Sequence, residues 1–198
     1  MNPQEVIHFW LGTAPEDIGA VDAASKRWYA ADAQFDAQVR DRFDTTIRRA
    51  RQGAFRNWED TPHGALALVI LLDQLSRNAY RGTPEAFAGD ARALAVATSA
   101  LEAGVERELG CAGRAFLYHP FEHSEDPADQ ERSVRLFESL VGAAPAPWRQ
   151  FAADFVPYAH AHREVIARFG RFPHRNAILG RISTPEELAY LRAGGGFQ

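Results

Sequence analysis

The segment FGRFPHRN, Phe169 to Asn176, sets arginine and histidine side chains among Phe169, Phe172 and Pro173. From Arg163 to Arg181 the chain carries five arginines and one histidine, His174, against a single acid, Glu164. Positive charge beside apolar side chains is costly unless something negative meets it. The segment therefore reads as half of a site. Two other stretches offer the remaining groups: DQLSRN, Asp73 to Asn78, and the triplet His123, Ser124, Glu125. Arg77, Arg171 and Arg175 are suited to gripping a phosphate or carboxylate through charge-assisted, often bidentate bonds. His123, oriented by Glu125 or Asp73, is the candidate general acid or base, which gives His123 and Glu125 as the catalytic candidates. Asp73, Gln74, Arg77, Asn78, Ser124, His162, Arg171, His174, Arg175 and Asn176 form the candidate ligand-binding set.

Each of these residues has a structural role to set beside the chemical one. Asp73, Arg77 and Arg81 are spaced by four and share a helical stripe, so Asp73 can pair with Arg77 while Gln74 and Asn78 bridge neighbouring helices. Ser124, Glu125 and Asp126 precede Pro127 and can cap the helix that starts there, whose N-terminus also favours anions. Capping does not require His123. His162 recurs with Phe151, Phe155, Ile166 and Phe169 at helical spacing, as a hydrogen-bonded core histidine does. Three imidazoles with Glu125 are a conceivable donor set, yet there is no HExxH and no pair of close cysteines, so no metal site is assigned. His160 and Glu164 suit an exposed helical pair. Cys111 and Ser124 lie in no nucleophile pattern, and no motif names a cofactor.

Punctuation supplies the elements that must position these groups. A capping residue precedes proline at Asn2-Pro3, Thr61-Pro62, Thr83-Pro84, Asp126-Pro127 and Thr184-Pro185, the order that opens helices. Asn2 with Glu5 and Thr184 with Glu187 have capping-box spacing. No β-branched alternation suggests a strand. The pattern predicts an all-α chain with helices near Pro3–Leu11, Ala33–Gln52, Pro62–Tyr80, Ala91–Ala103, Arg114–Tyr118, Pro127–Val141, Trp148–Phe169, His174–Leu179 and Pro185–Arg192. Gly12 to Asp22 and Gly142 to Pro147 are expected to be loops, with a break at Pro120. Ala65 to Leu72 is apolar on every face, so that helix should be enclosed by others.

With 198 residues, 46% of them hydrophobic, the chain can bury a substantial core and is expected to form one domain over 1–198, its glycine-rich end, 193–198, fraying. The longest apolar run is eight residues, Ala65 to Leu72, against roughly 20 needed to span a bilayer. The first residues lack the basic start and apolar stretch of a signal peptide, and the single cysteine, Cys111, suits a reducing compartment, so a cytoplasmic protein is expected. A net charge of -4 argues against a nucleic-acid surface. Of the 22 basic residues only Lys26 is lysine, a bias that a GC-rich genome produces by itself; the clustering of the arginines carries more weight than their number.

The blocks LLDQLSRNAYRGTPEAFAGDARAL, FLYHPFEHSEDPADQERSVRLF and HREVIARFGRFPHRNAILGRISTPEE, with WYAADAQFDAQVRDRF near the N-terminus, resemble a largely bacterial family of uncharacterised proteins. It is numbered nine hundred and twenty-four among the domains of unknown function. The resemblance implies a helical fold similar to tetratricopeptide arrangements, with no established activity or cofactor, although the sequence shows no repeat of about 34 residues. The family's signature positions map onto the polar residues above; His119 stands where an apolar residue is expected and is left out of the site. Two readings remain. One is a pocket for a small anionic ligand with acid–base chemistry as an added possibility; the other is a helical module whose polar motifs lock the helices while a groove receives a protein partner. Both predict that Asp73, His123 and Arg175 converge.

Overall fold

The computed structural model describes residues 1–28 and 30–197, and among these it contains helices and no strand. In chain order the α-helices are α1 (Pro3–Leu11), α2 (Ile18–Ser25), α3 (Ala33–Arg51), α4 (Pro62–Val69), α5 (Ser76–Ala79), α6 (Asp90–Ala103), α7 (Cys111–Glu122), α8 (Pro127–Ala143), α9 (Arg149–Phe169) and α10 (Pro185–Arg192). The caps act as their chemistry requires. Asn2 and Thr184 close capping boxes with Glu5 and Glu187, and the side chains of Thr61 and Asp126 accept from the backbone N–H groups of Gly64 and Ala128. Thr83-Pro84 opens only a 3-10 turn, Pro84–Phe87. Among the described residues no helix is long and apolar enough to cross a membrane.

Four expectations about the elements are corrected. The stretch read as a loop from Gly12 contains α2, capped by Asp17; its only buried residues are Val21 and Ala24, too few to leave a periodic signature. Helix α7 begins earlier than Arg114 and runs through Pro120. Proline there removes one backbone donor, but Phe116, Leu117, Tyr118 and Phe121 are buried around it, and their packing outweighs the lost bond. His174–Leu179 is not a helix: a 3-10 turn over Pro173–Arg175 leads into turns. His160 meets Glu138 on α8 at 3.2 Å instead of forming the expected pair with Glu164.

Helices α4 and α5 are joined by a π-helical turn, Ile70–Leu75, so the central rod is continuous from Pro62 to Ala79. Every residue from Ala65 to Ser76 is buried. Helices α1, α3, α6 and α7 pack around this rod, α8 lies against α7, and α9 against α8. The wider turn is stabilised at its end by Ser76, whose Oγ donates to the Leu71 carbonyl at 3.0 Å and accepts from Arg51 at 3.1 Å. Such turns often mark functional segments. This one carries Asp73 and Gln74.

Beyond α9 the chain folds back on itself. Phe172 is fully buried in a small apolar cluster with Val165 and Ile166, against which Phe169, Tyr190 and Phe197 pack. The C-terminal residues through Phe197 lie against the protein: Gly196 N–H donates to Tyr190 Oη at 3.1 Å, and the Phe197 ring stacks on His162 with centroids 3.5 Å apart.

Gly89 sits against the π turn just before Asp90, and a Cβ there would collide with the Leu72 carbonyl oxygen. Its backbone is right-handed, so the constraint is space rather than φ. Gly89→Ala should therefore destabilise by about 2 kcal/mol, as inserting atoms into a packed backbone contact does. Gly142→Ala, with nothing within 4 Å of its Cβ, should be neutral or slightly stabilising. Urea melts of the two variants check the contrast, and equal midpoints would contradict it.

Candidate functional site

The three polar motifs meet. Asp73, carried by the π turn and fully buried, accepts through Oδ1 from His123 Nδ1 at 2.7 Å and through Oδ2 from Gln74 Nε2 at 2.6 Å, and its Oδ1 forms an ion pair with Arg77 at 3.1 Å. The i, i+4 pairing of Asp73 with Arg77 is the one the spacing predicts. Arg77 also grips Asp90 at the start of α6 with both terminal nitrogens, at 3.0 and 3.2 Å. Arg175 reaches the same Asp90 carboxylate at 3.4 Å while lying 4.8 and 4.5 Å from the ring centroids of Phe87 and Phe172. His123 and His162 stand 6.0 Å apart, and His162 packs edge-on against Phe172 at 5.5 Å. Asp73, His123, His162, His174 and Arg175 thus belong to one cluster, linked through Asp90, Phe172 and Phe197.

Other members of the candidate set serve the frame instead. Asn78 donates to Asp36 on α3 at 2.8 Å, and Arg81 grips the same carboxylate at 2.6 and 3.1 Å. Ser124 donates to Asp129 at 2.7 Å and accepts from Asp126 N–H, a role at the start of α8. Asn176 donates to Ser183 and Glu187. Arg171 is held bidentately by Glu187 at 2.6 and 2.8 Å and is not free to grip an anion. Glu125 does not orient His123. It clamps Arg181 at 2.7 and 3.0 Å and accepts from Phe172 N–H at 2.8 Å, tying the loop before α8 to the segment after α9. His123 is oriented by Asp73. His119, excluded from the site, is a buried core histidine that bonds the Ala115 carbonyl at 2.8 Å and stacks on Phe116.

Three acids are absent from the candidate site as the sequence reads it, although the sequence does mark Glu187 as a capping residue. Asp90 and Glu187 lie outside the arginine-rich motifs and neutralise them, so the excess of arginine within the motifs is not a net charge of the site. Glu122, next to His123, is buried with its Oε2 unpartnered among the described residues. Glu122 adjoins His123 and Glu187 has capping-box spacing from Thr184, so position offered a signal for these two, whereas Asp90 carried none.

Electrostatics separate the groups. Burial opposes ionisation of Asp73, but Arg77 and His123 outweigh it and hold the carboxyl well below its ordinary range. Burial, reinforced by Arg77, pushes His123 down to about 3 despite Asp73. Burial likewise lowers His174 to about 4, with Arg175 adding to the effect, and pushes Glu122 up to about 8, with Asp73 adding repulsion. Burial and the nearby Arg77 bring Arg175 down to about 10. Near neutral pH the imidazoles are therefore uncharged, and the guanidiniums of Arg77, Arg175 and Arg181 face the carboxylates of Asp73, Asp90 and Glu125.

Glu187 gives a pH test of the frame. Its hydrogen bond from Arg171, outweighing burial, lowers its carboxyl to about 2. A depressed carboxyl contributes stability that is complete above its unfolded value of about 4.3 and is lost as pH falls towards the folded value. Thermal unfolding should show Glu187→Gln less stable than wild type at neutral pH, with the gap narrowing below about pH 4.5. A gap that stays constant on acidification would remove Glu187 from this role.

The Agrobacterium tumefaciens protein whose structure is described as that of a protein of unknown function is 34% identical to this chain, with a TM-score of 0.77 and 97% of each chain covered. No curated protein matches. The family model described as a bacterial protein of unknown function, DUF924, matches residues 6–195. With nearly its whole length matched, and with the polar cluster seated on the very blocks that carry the resemblance, this chain belongs to the DUF924 family of bacterial proteins of unknown function.

Proposed function

We propose that the chain binds a small anionic molecule bearing a phosphate or carboxylate at the Arg77–Asp90–Arg175 edge of the cluster, in a cytoplasmic setting that suits its lone, buried Cys111. The supporting observation is the underuse of Arg175. Two guanidiniums share the Asp90 carboxylate; Arg77 takes it with two bonds, while Arg175 has one contact at 3.4 Å. Nε of Arg175 and Nδ1 of His174 are buried without a hydrogen-bond partner among the described residues. Buried guanidinium and imidazole groups are normally satisfied, and an anion's oxygens supply acceptors that the protein does not. The side chains of Arg77 and Asp90 keep 21% and 22% of their exposure, which leaves a solvent-facing edge for a ligand. Two cavities lie away from this edge, about 770 Å³ beside Lys26, Phe35 and Arg42 and about 180 Å³ beside Cys111 and Trp148.

A second reading is supported by the fully paired members of the set. Asn78 with Asp36, Arg171 with Glu187 and Glu125 with Arg181 act as struts between helices. They suit a tetratricopeptide-like module whose partner is another protein.

Substitutions at the two arginines separate the readings. Arg77→Ala leaves Asp73 without a cationic partner and Asp90 with only the 3.4 Å contact from Arg175, and should cost about 3–5 kcal/mol. Arg175→Met keeps an apolar stem over Phe87 and Phe172 and leaves Asp90 paired with Arg77, so it should cost less than about 1.5 kcal/mol. In thermal-shift titrations with inorganic phosphate and with phosphorylated and carboxylated metabolites, wild type should be stabilised by mass action. Arg175→Met should weaken that binding at least tenfold, about 1.4 kcal/mol. Stabilisation by neutral or cationic compounds alone would contradict anion binding, and a severe loss of stability in Arg175→Met without any anion effect on wild type would favour the structural module.

A further inference from the structure

Beside the anion-facing edge lies a second set of groups with different chemistry. Glu122 ends α7, His123 follows as its C-cap, and His162 projects from α9; each offers a donor atom within 4.8 Å of the other two. Glu122 and His162 are buried and the His123 side chain is 14% exposed. The Nδ1 atoms of both rings face acceptors: Asp73 Oδ1 lies 2.7 Å from that of His123, and the Tyr158 carbonyl 2.9 Å from that of His162. A neutral imidazole that donates from Nδ1 keeps its lone pair on Nε2.

Glu122 is the unexplained member. Its Oε1 lies 3.4 Å from His162 Nδ1, a weak contact already shared with Tyr158, and its Oε2 has no partner among the described residues. No arginine or lysine forms an ion pair with it among the described residues, whereas buried acids are normally paired or bound to metal. We propose that Glu122, His123 and His162 bind one divalent transition-metal ion of the zinc type.

Two imidazoles and one carboxylate are a donor set for such ions, and three protein ligands leave further coordination positions open. The surroundings supply the supports that metal-binding histidines use. Asp73 holds His123 in the manner of a carboxylate–histidine pair, and the Tyr158 carbonyl holds His162. Phe197 stacks on His162, and Phe172 meets its edge, so the ion would lie beside apolar rings that restrict water. His123 is then a ligand rather than a carrier of protons. The proposal is independent of the anion reading, because the donors are the imidazoles and Glu122 and not the arginines.

The test is a titration of untagged, chelator-treated protein with Co²⁺, followed by visible absorption, and with Zn²⁺, followed by calorimetry, both without added anion. Wild type should bind one ion per chain and develop the Co²⁺ ligand-field bands. Glu122→Gln and His162→Gln should each weaken binding at least tenfold while retaining the far-ultraviolet circular dichroism of wild type. Should His162→Gln unfold, the isosteric Glu122→Gln carries the test. His160→Ala, which removes a surface histidine paired with Glu138, should bind as wild type does. Absence of one-to-one binding at millimolar metal, or unchanged affinity in Glu122→Gln, overturns the proposal. Arg175→Met should bind metal normally, and phosphate titrations in the presence of chelator test the anion site alone, so the failure of one reading is distinguishable from that of the other.

Discussion

The buried carboxylate of Asp73 is the constraint on which the rest of the structure depends. An ionised carboxylate with no exposure to water survives only when several groups solvate it. Here the chain brings them from its own helix and from α7: Gln74 and Arg77 lie in or just beyond the π turn, and His123 caps α7. Arg77 passes the demand on to Asp90, which fixes α6, and Asp90 in turn receives Arg175 from the far end of the sequence. One charge placed in the core thus dictates the approach of three separate segments to it. The cost of leaving any partner unmade gives the arrangement its specificity.

The candidate site and the scaffold consequently draw on one polar network. Glu125 with Arg181, Glu187 with Arg171 and Asp36 with Asn78 and Arg81 are pairs that hold loops and helices in place, although Arg181 keeps a buried Nε without a hydrogen-bond partner among the described residues. Arg175 and Glu122, both buried, and the half-buried His174 keep buried polar atoms without a hydrogen-bond partner among the described residues. The Phe197 ring lies over His162 and 5.9 Å from His174, so the end of the chain contributes to the enclosure of the same region.

Much of this was legible in the sequence, for physical reasons that differ from residue to residue. Capping residues before proline mark helix starts because the backbone donors there need them, and Asn2, Thr61, Asp126 and Thr184 act as read. Convergence of Asp73, His123 and Arg175 followed from an excess of polar groups that local structure cannot satisfy. What stayed hidden depends on tertiary context. A π turn has no distinct side-chain pattern, so the aim of Asp73 and Asn78 along the central rod could not be resolved. Pro120 lies inside α7 because packing on both sides of it outweighs its local preference. The partners of Arg171 and Arg77, Glu187 and Asp90, lie 16 and 13 residues away, and a surplus of arginine counted within one motif says nothing about acids delivered from another.

The state of His123 depends most directly on the buried Asp73 carboxylate. Asp73 accepts from Nδ1, so the ring should be neutral near pH 7, protonated on Nδ1 and bare on Nε2. Long-range proton–nitrogen correlation spectra of metal-free protein with labelled histidine read this tautomer. The expected spectrum shows the Nδ1-protonated form for His123 in wild type and its loss in Asp73→Asn; an Nε2-protonated ring, or one unaffected by Asp73→Asn, would contradict the central place given to Asp73.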